Sequence, residues 1–457
     1  MRQAPFDPSG ASPLDPPTMR TSLLRLFLSG AASVVLLAAC GGGDVSPNSG
    51  EIRLVNATDQ VLDLYQGSDR LTPDVAPFTA GNYEDVNKGD DTFSVRGGAA
   101  GATIASLDVS VSKNTHYAIV AYSDGGTPTL ALLEEEEDEP DKGSAMLRFF
   151  NTAATDSGSV DIYLLDMGIP CSSLVGSLET PIATGVSGLQ TSFTTIDSSP
   201  TEGYRLCVTA ANDKADLRLD STLVVEDRRV VTVILSRTSG VLLNGLVLVQ
   251  QGDLKQALNT SARVRLAVGV ATNSTVTASV DTVLLGQAAV PRTITSYKLV
   301  PAGNVTPSVA IDATDVSGAP VTLVGGGDYT LLVAGSVGTP TVKLIDDNNS
   351  LSTNAAKPVK IRLVNGTNGA KTGVLGPALL TVGSTLLDAT EFAAASPYVF
   401  VESSTGTAIL FDVRTMNNTP LCSSTSTLPA APGVFTVFVL GDPPTGTPPV
   451  CLLRADR

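Results

Sequence analysis

The sequence predicts an all-β protein: about four tandem immunoglobulin-like or β-sandwich modules that follow a lipoprotein signal peptide. Three observations predict this class: strand-like alternation of apolar residues, similar segments that recur along the chain, and a composition that favours strands and turns. Of the 457 residues, 42% are hydrophobic and only 16% charged, with 42 Gly and 28 Pro. Val, Thr, Ile and Leu dominate the apolar runs, which suits strands. A chain of this length exceeds what one hydrophobic core uses.

The N-terminus has the organisation of an export signal. Residues 26–39 form an uncharged run of 14 residues that follows Arg20 and Arg25. A permanent transmembrane helix needs about 20 apolar residues, so this run is too short to remain in a bilayer. Its charged start, apolar middle and small-residue end are typical of a secretory signal peptide. We therefore expect residues 1–39 to be a signal peptide, with Met19 as an alternative start of translation.

Cys40 is the candidate lipidation site. It closes the segment Leu37-Ala38-Ala39-Cys40, which resembles the lipobox of bacterial lipoproteins. In a lipobox the cysteine is diacylated and becomes the new N-terminus, and several acyl chains give lasting anchorage where one chain would not. Residues 40–50 would then form a flexible, glycine-rich tether. An ordinary signal peptide with an unrelated cysteine is the alternative.

The chain contains an internal repeat. Four segments open alike, and the second residue of each is an arginine: Arg53, Arg148, Arg265 and Arg362. Four segments also close alike, each with two apolar strands around a turn of Gly, Pro or Ser, which is typical of a hairpin. These closing segments begin at His116, Arg229, Asp328 and Val434. The distance of 212 residues from Arg53 to Arg265 recurs from Tyr117 to Tyr329.

Shifts in composition indicate the module boundaries. Within a module the alternation has period 2, so that Phe93 and Val95 share a face of one predicted strand. Six consecutive acidic residues, 134–139, begin at the end of the first module, and we expect a self-repelling, solvated spacer there rather than calcium ligands. The predicted arrangement is modules at 51–134, 145–250, 262–346 and 357–457, the last one divergent, with an acidic linker at 135–144.

At these motifs the chain resembles the family called domain of unknown function 4397. The resemblance rests on the Arg-(Leu/Phe)-(Val/Phe)-Asn openings, on Asp63-Leu64-Tyr65 and Asp161-Ile162-Tyr163, and on the closing hairpins. It extends over roughly residues 50–350 and fades in the last module, whose second strand the pattern does not place. It implies repeated β-sandwich modules on secreted or lipid-anchored bacterial proteins, and no particular activity. Family members commonly carry His where this chain has Asn, so no role of that His is carried over: Asn56, Asn151 and Asn365.

The other four cysteines divide by module. Cys171 and Cys207 lie in the second module, and Cys422 and Cys451 lie in the fourth. An even number in a protein addressed to an oxidising compartment indicates disulfides within modules. Closing loops of this length would stabilise each module by roughly 3–4 kcal/mol. Free buried thiols are the alternative, and the sequence has no C-x-x-C motif that would suggest zinc or thioredoxin-type chemistry.

A search for catalytic residues gives no constellation. His116 is the one histidine, and a Ser-His-Asp triad would have to use it. The other modules carry different residues at that place, so we interpret His116 as a half-exposed strand residue. The acidic pairs Asp90-Asp91 and Asp346-Asp347 are interpreted as solvated turn residues rather than as calcium ligands or a glycosidase pair. We therefore predict no catalytic residue, no metal site and no cofactor.

Two classes of function remain open, with a hydrolase a distant third. A net charge of −16 excludes nucleic acid as a partner, because the phosphate backbone would repel the chain. The first hypothesis is a non-catalytic cell-envelope lipoprotein with a structural or protein-interaction role, which contacts an unknown envelope protein or a surface glycan.

The second hypothesis is a ligand-binding lipoprotein that holds a sugar, a peptide or calcium between its modules. A concave pocket with converging polar groups would favour this second class, and spaced modules without such a pocket would favour the first. In either case we expect an exported protein that lipid anchors to a membrane, most simply the outer membrane, on its periplasmic face or at the cell surface.

Overall fold

The computed structural model describes residues 48–98, 101–124, 127–199, 201–336, 338–352, 354, 356–367, 377–403, 408–428, 432–442 and 447–457. The predicted signal peptide, Cys40 and most of the predicted tether lie outside these residues. Strands dominate the described part, as the alternating pattern predicts, and they form four successive β-sandwich modules. The described helical elements are the single-turn helix α1 (Ala154–Ser157) and a 3₁₀ turn (Cys171–Leu174). Neither is long and apolar enough to span a membrane.

The first module consists of two facing sheets. Its strands are β1 (Ser49–Asn56), β2 (Leu62–Gln66), β3 (Asp69–Val75), β4 (Thr79–Ala80), β5 (Glu84–Asn87), β6 (Gly89–Arg96), β7 (Thr103–Val111), β8 (His116–Asp124) and β9 (Thr127–Glu134). One sheet has the order β4-β1-β8-β9, with β5 also paired to β1, and the other has the order β3-β2-β6-β7.

The second module repeats this plan. Its strands are β10 (Ser144–Asn151), β11 (Val160–Asp166), β12 (Ala183–Val186), β13 (Thr194–Asp197), β14 (Tyr204–Ala210), β15 (Asp213–Leu223), β16 (Val230–Arg237), β17 (Leu243–Val249) and β18 (Leu254–Ala257). The sheets have the orders β13-β10-β16-β17-β18 and β12-β11-β14-β15. Strand β18 therefore extends the second module beyond residue 250, where the sequence had placed its end.

The third module has a small additional sheet. Its strands are β19 (Ser261–Val270), β20 (Val276–Val280), β21 (Val283–Ala289), β22 (Lys298–Pro301), β23 (Gly303–Val305), β24 (Pro307–Ile311), β25 (Thr314–Asp315), β26 (Val321–Leu323), β27 (Asp328–Ser336) and β28 (Thr339–Asp347). The main sheets have the orders β22-β19-β27-β28 and β21-β20-β24-β25, and β23 pairs with β26.

The fourth module contains the second strand that the sequence pattern did not place, here β30. The strands are β29 (Val359–Thr367), β30 (Ala378–Val382), β31 (Thr385–Leu386), β32 (Ala394–Ala395), β33 (Val399–Val401), β34 (Ala408–Thr415), β35 (Pro420–Thr427), β36 (Gly433–Asp442) and β37 (Thr447–Ala455). The sheets have the orders β32-β29-β36-β37, with β33 also paired to β29, and β31-β30-β34-β35.

The opening strand of each module lies beside the closing hairpin. The hairpins predicted from the sequence are present as β8–β9, β16–β17, β27–β28 and β36–β37, all antiparallel. The opening strand pairs in parallel with the first strand of each hairpin, so that Arg53 faces Ala118 in the register and Arg265 faces Thr330. A chain segment of about 60 residues or more therefore separates two strands that are neighbours in the sheet.

Apolar clusters lie both inside and between modules. Inside the first module, Ile52 and Leu54 of β1 pack with Phe93 of the opposite sheet, and each such buried side chain contributes roughly 1.5–3 kcal/mol. A different cluster joins the first module to the second: Val55, Ala118, Val120, Leu133, Phe150, Ile234, Leu246 and Leu248. A comparable cluster joins the third to the fourth: Ala267, Leu332, Ala334, Ile345, Val364, Phe438 and Leu440. The modules are thus packed in pairs.

Candidate functional site

The repeated arginines lie on the outer faces of the opening strands. Because successive side chains of a strand point to opposite faces, Ile52 and Leu54 enter the core while Arg53 points to the neighbouring module. Arg53, Arg265 and Arg362 are each no more than 3% exposed. The sequence marks these residues only as landmarks of the repeat. In the structure they are the polar centres of the two interfaces between paired modules.

Two arginine–aspartate pairs cross the interface between the third and fourth modules. Arg265 of β19 pairs with Asp456, and Arg362 of β29 pairs with Asp347. The arrangement is reciprocal, since each module supplies one arginine and one carboxylate. Each arginine also donates through Nε to a threonine hydroxyl of its own module, at 2.9 Å and 3.2 Å respectively: Thr330 and Thr436.

Aromatic rings and a close backbone approach complete this interface. The guanidinium of Arg265 lies 4.6 Å from the ring centre of Tyr297, and that of Arg362 lies 4.7 Å from that of Tyr398. Burial alone would lower the pKa of Arg265, but Asp456 raises it above its usual value, so the guanidinium stays charged. A Cβ atom on Gly269 would lie 2.7 Å from the carbonyl oxygen of the Gly366 backbone. The two opening strands therefore approach more closely than larger residues would permit.

The interface between the first and second modules has one carboxylate instead of two. Arg53 donates to both carboxylate oxygens of Glu135 and, at 3.1 Å, to the carbonyl of Val249 in the second module. Arg148 donates to the Thr232 hydroxyl at 2.8 Å. At the place that Asp347, Asp456 and Glu135 occupy at the ends of their hairpins, the second module carries Gln250, whose amide donates to the carbonyl of Glu137 at 2.8 Å.

Burial of Arg148 therefore dominates its electrostatics. Desolvation lowers the pKa of Arg148, and the nearby carboxylates of Glu135 and Glu137 oppose this only in part. Its guanidinium also lies 4.5 Å from the ring centre of Phe193. The ring and the hydroxyl of Thr232 replace the carboxylate that the other buried arginines have.

Two acidic residues differ from their sequence interpretation. Glu135 belongs to the acidic run expected to be a solvated spacer, and Asp347 belongs to a pair interpreted as solvated turn residues. Glu135 is only 2% exposed and Asp347 only 1%. Both interpretations are wrong at these positions, because each carboxylate is the counterion of a buried arginine far along the chain or in another module. Asp346, next to Asp347, is exposed as expected for the opposite face of a strand.

A cleft of about 490 Å³ lies where the first three modules meet. The first module supplies Thr58, Asp59 and Ser123, and the second supplies Arg237 at the end of β16. Hydroxyls, amides and acidic groups from three modules thus converge on one concave space. The remaining lining residues are Ala57, Phe78, Thr238, Ser239, Asn244, Val324, Gly325, Gly326, Gly327, Tyr329, Asp346, Asp347, Asn348 and Ser350.

One of the three glycines in this lining, Gly326, allows the second and third modules to approach. Gly326 has a positive φ of 81°, and a Cβ atom there would lie 2.5 Å from the Thr238 side chain of the second module. The hydroxyl of Tyr329 accepts a hydrogen bond from the Val324 backbone at 2.8 Å and fixes this glycine turn. The wall of the cleft is therefore built into the fold of the third module rather than formed by mobile side chains.

A smaller pocket of about 180 Å³ opens beside the cleft in the first module. It has an apolar side made of Leu62, Val95, Ile104, Ala121, Tyr122 and Pro128, and the other lining residues are Thr58, Asp59, Gln60, Ser123, Thr129 and Arg237. Asp59 and Arg237 line both spaces. The two charged groups of opposite sign therefore stand where the polar cleft meets the apolar side pocket.

Arg237 is held loosely by its protein partners. Its Nε lies 3.9 Å from Asp156 of α1, and its Nη1 lies 3.4 Å from the Ser123 hydroxyl. Asp156 is also bound by Arg457 of the fourth module, at 3.1 Å, and Arg457 donates further to the Gly240 carbonyl at 3.3 Å. The first pair of modules is thus fastened to the second pair at the residue that positions Arg237.

The predicted cysteine pairs are confirmed. Cys171 is bonded to Cys207, and Cys422 is bonded to Cys451. The first disulfide fastens the 3₁₀ turn to β14, and the second joins β35 of one sheet to β37 of the other. Cys40 lies outside the described residues, and its lipidation stays a prediction.

His116 lies half-buried at the start of β8. Its Nδ1 is 2.7 Å from Glu136, and its Nε2 is 3.7 Å from Glu51. Asp90 and Asp91 lie in β6 rather than in a turn. Within the residues that the structure describes, no three His, Cys, Asp or Glu side chains are grouped so that they could hold a metal ion.

The asparagines that recur at the ends of three opening strands have a structural role. Asn56 is fully buried and donates to the carbonyls of Gln60 and Val75 at 2.7 and 3.0 Å, while its Oδ1 accepts from the Thr58 backbone. Asn151 and Asn365 likewise donate to a backbone carbonyl and accept from a backbone N–H two residues further on. The sequence shows that Asn recurs at this place, but nothing in the pattern indicates that it caps the end of an opening strand.

The protein belongs to the class of tandem-module, all-β proteins. In each module the opening strand runs parallel to the first strand of the closing hairpin, and two modules contain a disulfide. Residues 50–163 and 262–372 each match the model of the family described as "Domain of unknown function (DUF4397)". The chain therefore carries repeated segments that match this family. The first match covers the first module and continues into β11 of the second, and the second match covers the third module and β29. Residues 164–261 fall between the matches, so the resemblance expected over 50–350 is interrupted. None of the curated proteins compared with the chain matches it.

Proposed function

We propose that this protein is a non-catalytic, lipid-anchored protein of the cell envelope that binds a small polar ligand between its modules. The observation that carries the proposal is the cleft of about 490 Å³ lined by the first three modules. Its size lies in the range of small-molecule sites, and such sites occur preferentially where domains meet. A concave space with converging polar groups is expected of a ligand-binding protein rather than of a purely structural one, and this cleft has both features.

Ligand binding is tested by exposing the full chain, purified in detergent, to fractionated small molecules from envelope extracts. We expect one fraction to slow hydrogen exchange in Thr58–Asp59, in β16 and in the turn 324–327. Slower exchange elsewhere with none at the cleft, or no change with any fraction, contradicts the proposal. A variant that fills the cleft, Ser239→Trp, should abolish the effect, whereas Ser173→Trp, in the 3₁₀ turn of the same module, should retain it.

Envelope location is supported by the signal-like N-terminus and by two disulfides, which persist in oxidising compartments. Lipid attachment at Cys40 would hold the protein at a membrane, with the outer membrane as the expected one. The variant Cys40→Ala should lack acylation and leave the membrane fraction. Unchanged membrane fractionation of this variant would defeat the lipoprotein proposal.

A second candidate function is contact with another envelope protein, and one segment of the second module favours it. Around the 3₁₀ turn, Ile169 is 39% exposed, Val175 59% and Leu178 98%. Exposed apolar side chains concentrated in one segment are typical of interaction surfaces. The disulfide of Cys171 holds this segment against β14. Crosslinking to a partner in intact envelopes should then be lost in the variant Leu178→Asp. It should be retained in Leu258→Asp, which changes an exposed leucine outside the segment.

A further inference from the structure

We infer that the cleft and its side pocket together bind an apolar α-amino acid, either free or at the carboxyl end of a short peptide. The inference rests on the ligand-binding function proposed above and names the class of ligand. In such a molecule a carboxylate, an N–H donor and an apolar side chain diverge from a single carbon atom. The junction of the cleft and the side pocket offers a counterpart for each of these three groups.

Arg237 is the group that would bind the carboxylate. A guanidinium has five N–H donors in a planar fork that matches a carboxylate. Toward the protein, Arg237 makes one hydrogen bond of 3.4 Å and an ion pair of 3.9 Å, both longer than a strong charged contact. The short Arg–Asp contacts in the interface between the third and fourth modules show how a fully engaged arginine is arranged in this protein. Asp156 therefore engages few of the N–H groups of Arg237, and the others can donate to a ligand in the cleft.

The acidic groups of the lining select the kind of anion. Asp59 and Asp346 are exposed on the lining of the cleft, and Asp59 also lines the side pocket. Two exposed carboxylates in the lining that also holds Arg237 repel a doubly charged phosphate more than a singly charged carboxylate. They also accept hydrogen bonds from an ammonium or amide N–H group. The charge pattern therefore fits a zwitterion, or a peptide terminus that presents an N–H beside its carboxylate.

The side pocket has the size and lining for one apolar side chain. Leu62, Val95, Ile104 and Ala121 form its apolar side, and its volume is about 180 Å³. An apolar cavity of about 150 Å³ holds a benzene-sized molecule, so one Leu, Ile, Val or Phe side chain fits. Because Asp59 and Arg237 stand at the mouth of this pocket, a side chain that enters it leaves its carboxylate and nitrogen beside them.

Calorimetric titration of the full chain in detergent tests the inference with four probes: leucine, the dipeptide Ala-Leu, leucinamide and glycine. We expect saturable binding of leucine or Ala-Leu, and the tighter of the two identifies the source. Leucinamide lacks the carboxylate and glycine lacks the side chain, so each should bind at least about tenfold more weakly. Equal binding of leucinamide, or equal binding of glycine, overturns the assignment of the corresponding group.

Variants then locate the binding. Arg237→Gln should weaken leucine binding by at least about tenfold, and Ile104→Phe, which narrows the pocket from a half-buried position, should weaken leucine but not glycine. Arg228→Gln is the matched control, because Arg228 lies in the same module and is half-exposed. Binding that neither variant alters overturns the inference. Absence of any saturable amino-acid or dipeptide binding also overturns it; if envelope fractions still protect the cleft, the ligand class fails while the proposed function stands.

Discussion

The two interfaces between paired modules have the same strand arrangement but different electrostatics. Between the third and fourth modules, Arg265 and Arg362 each have a carboxylate supplied by the other module. Between the first and second modules, Glu135 is bound by Arg53 of its own module, and Arg148 has a hydroxyl and an aromatic ring instead. Gln250 stands where the missing carboxylate would be.

This difference shows what the buried ion pairs contribute. Both interfaces bury an apolar cluster of similar composition, so apolar packing accounts for their association in either case. Buried ion pairs add little net stability because desolvation offsets the attraction, but each is costly to break once formed. Reciprocal pairs therefore fix the partner and the register of the third and fourth modules. The first interface is expected to tolerate substitution better.

The largest expected effect comes from removing the carboxylate of Asp347. The variant Asp347→Asn removes the ion-pair partner of the buried Arg362 and one of the two partners of Arg265, and we expect a loss of about 3–5 kcal/mol. The matched change in the other interface, Gln250→Ala, removes two neutral hydrogen bonds with the Glu137 backbone and should cost about 1–2 kcal/mol. Hydrogen exchange in urea, resolved strand by strand, measures both, because a chain of several modules does not unfold in one step. Equal losses would contradict the proposed contrast.

Loss of the disulfides should affect the two pairs of modules alike. Each pair contains one disulfide, with separations of 36 and 29 residues. Loop-closure entropy then gives about 3–4 kcal/mol for each. The double variants Cys171→Ser/Cys207→Ser and Cys422→Ser/Cys451→Ser should lower the stability of the second and fourth modules by similar amounts in the same exchange experiment. Two or more free thiols in the denatured, unreduced protein would contradict the pairing itself.

A pH dependence should distinguish the interfaces through Lys360. This residue is 4% exposed on β29, donates to the Ser350 carbonyl at 2.9 Å, and occupies the place that Met146 has in the second module. Burial, followed by the arginines Arg237, Arg362 and Arg457, lowers the pKa of Lys360 to about 8.

In the unfolded chain the ammonium group of Lys360 keeps its proton up to about pH 10.5, whereas in the folded protein it loses the proton near pH 8. Unfolding therefore takes up a proton between these two pH values. The free energy of unfolding of the fourth module should therefore rise from pH 7 to 9.5, by at most about 2 kcal/mol. Lys360→Met should remove the rise, and the second module should not show it. A fall in stability over this range in the unmodified protein would contradict the lowered pKa.

The smallest expected effect comes from supplying the missing carboxylate. Gln250→Glu offers Arg148 or Arg53 a second acidic partner but loses the bond to the Glu137 carbonyl. We expect a gain of at most about 1 kcal/mol, larger at low salt. The control Gln287→Glu, on an exposed strand position of the third module, should change nothing. A clear destabilisation by Gln250→Glu alone would show that this interface is adapted to its single carboxylate.

Local patterns predicted the elements whose partners lie nearby in sequence. Each closing hairpin is two apolar strands around a short turn, so its pairing follows from turn chemistry. The cysteines were predicted correctly because they fall two to a module. The second strand of the fourth module, β30, lacks the Asp-Ile-Tyr pattern that marks its counterpart β11, and for that reason the sequence did not place it.

Contacts between distant segments could not be predicted in this way. Arg53 meets Glu135 over 82 residues, and Arg265 meets Asp456 over 191. The sequence of the acidic run 134–139 predicts a solvated spacer. Only the structure shows that one of its residues, Glu135, pairs with a buried arginine. Arg237 likewise belongs to an ordinary closing strand, and only the docking of three modules makes it part of a cleft.

The sequence by itself determined that this chain is a repeat of β-sandwich modules, because a period of two residues in apolar side chains can be buried only by facing sheets. It also determined which cysteines could bond. The tertiary structure alone decided which outer faces pair, which charges become buried and where a cleft opens. Those outcomes depend on the free energy of contacts between surfaces that are remote in sequence, and a local pattern carries no information about them.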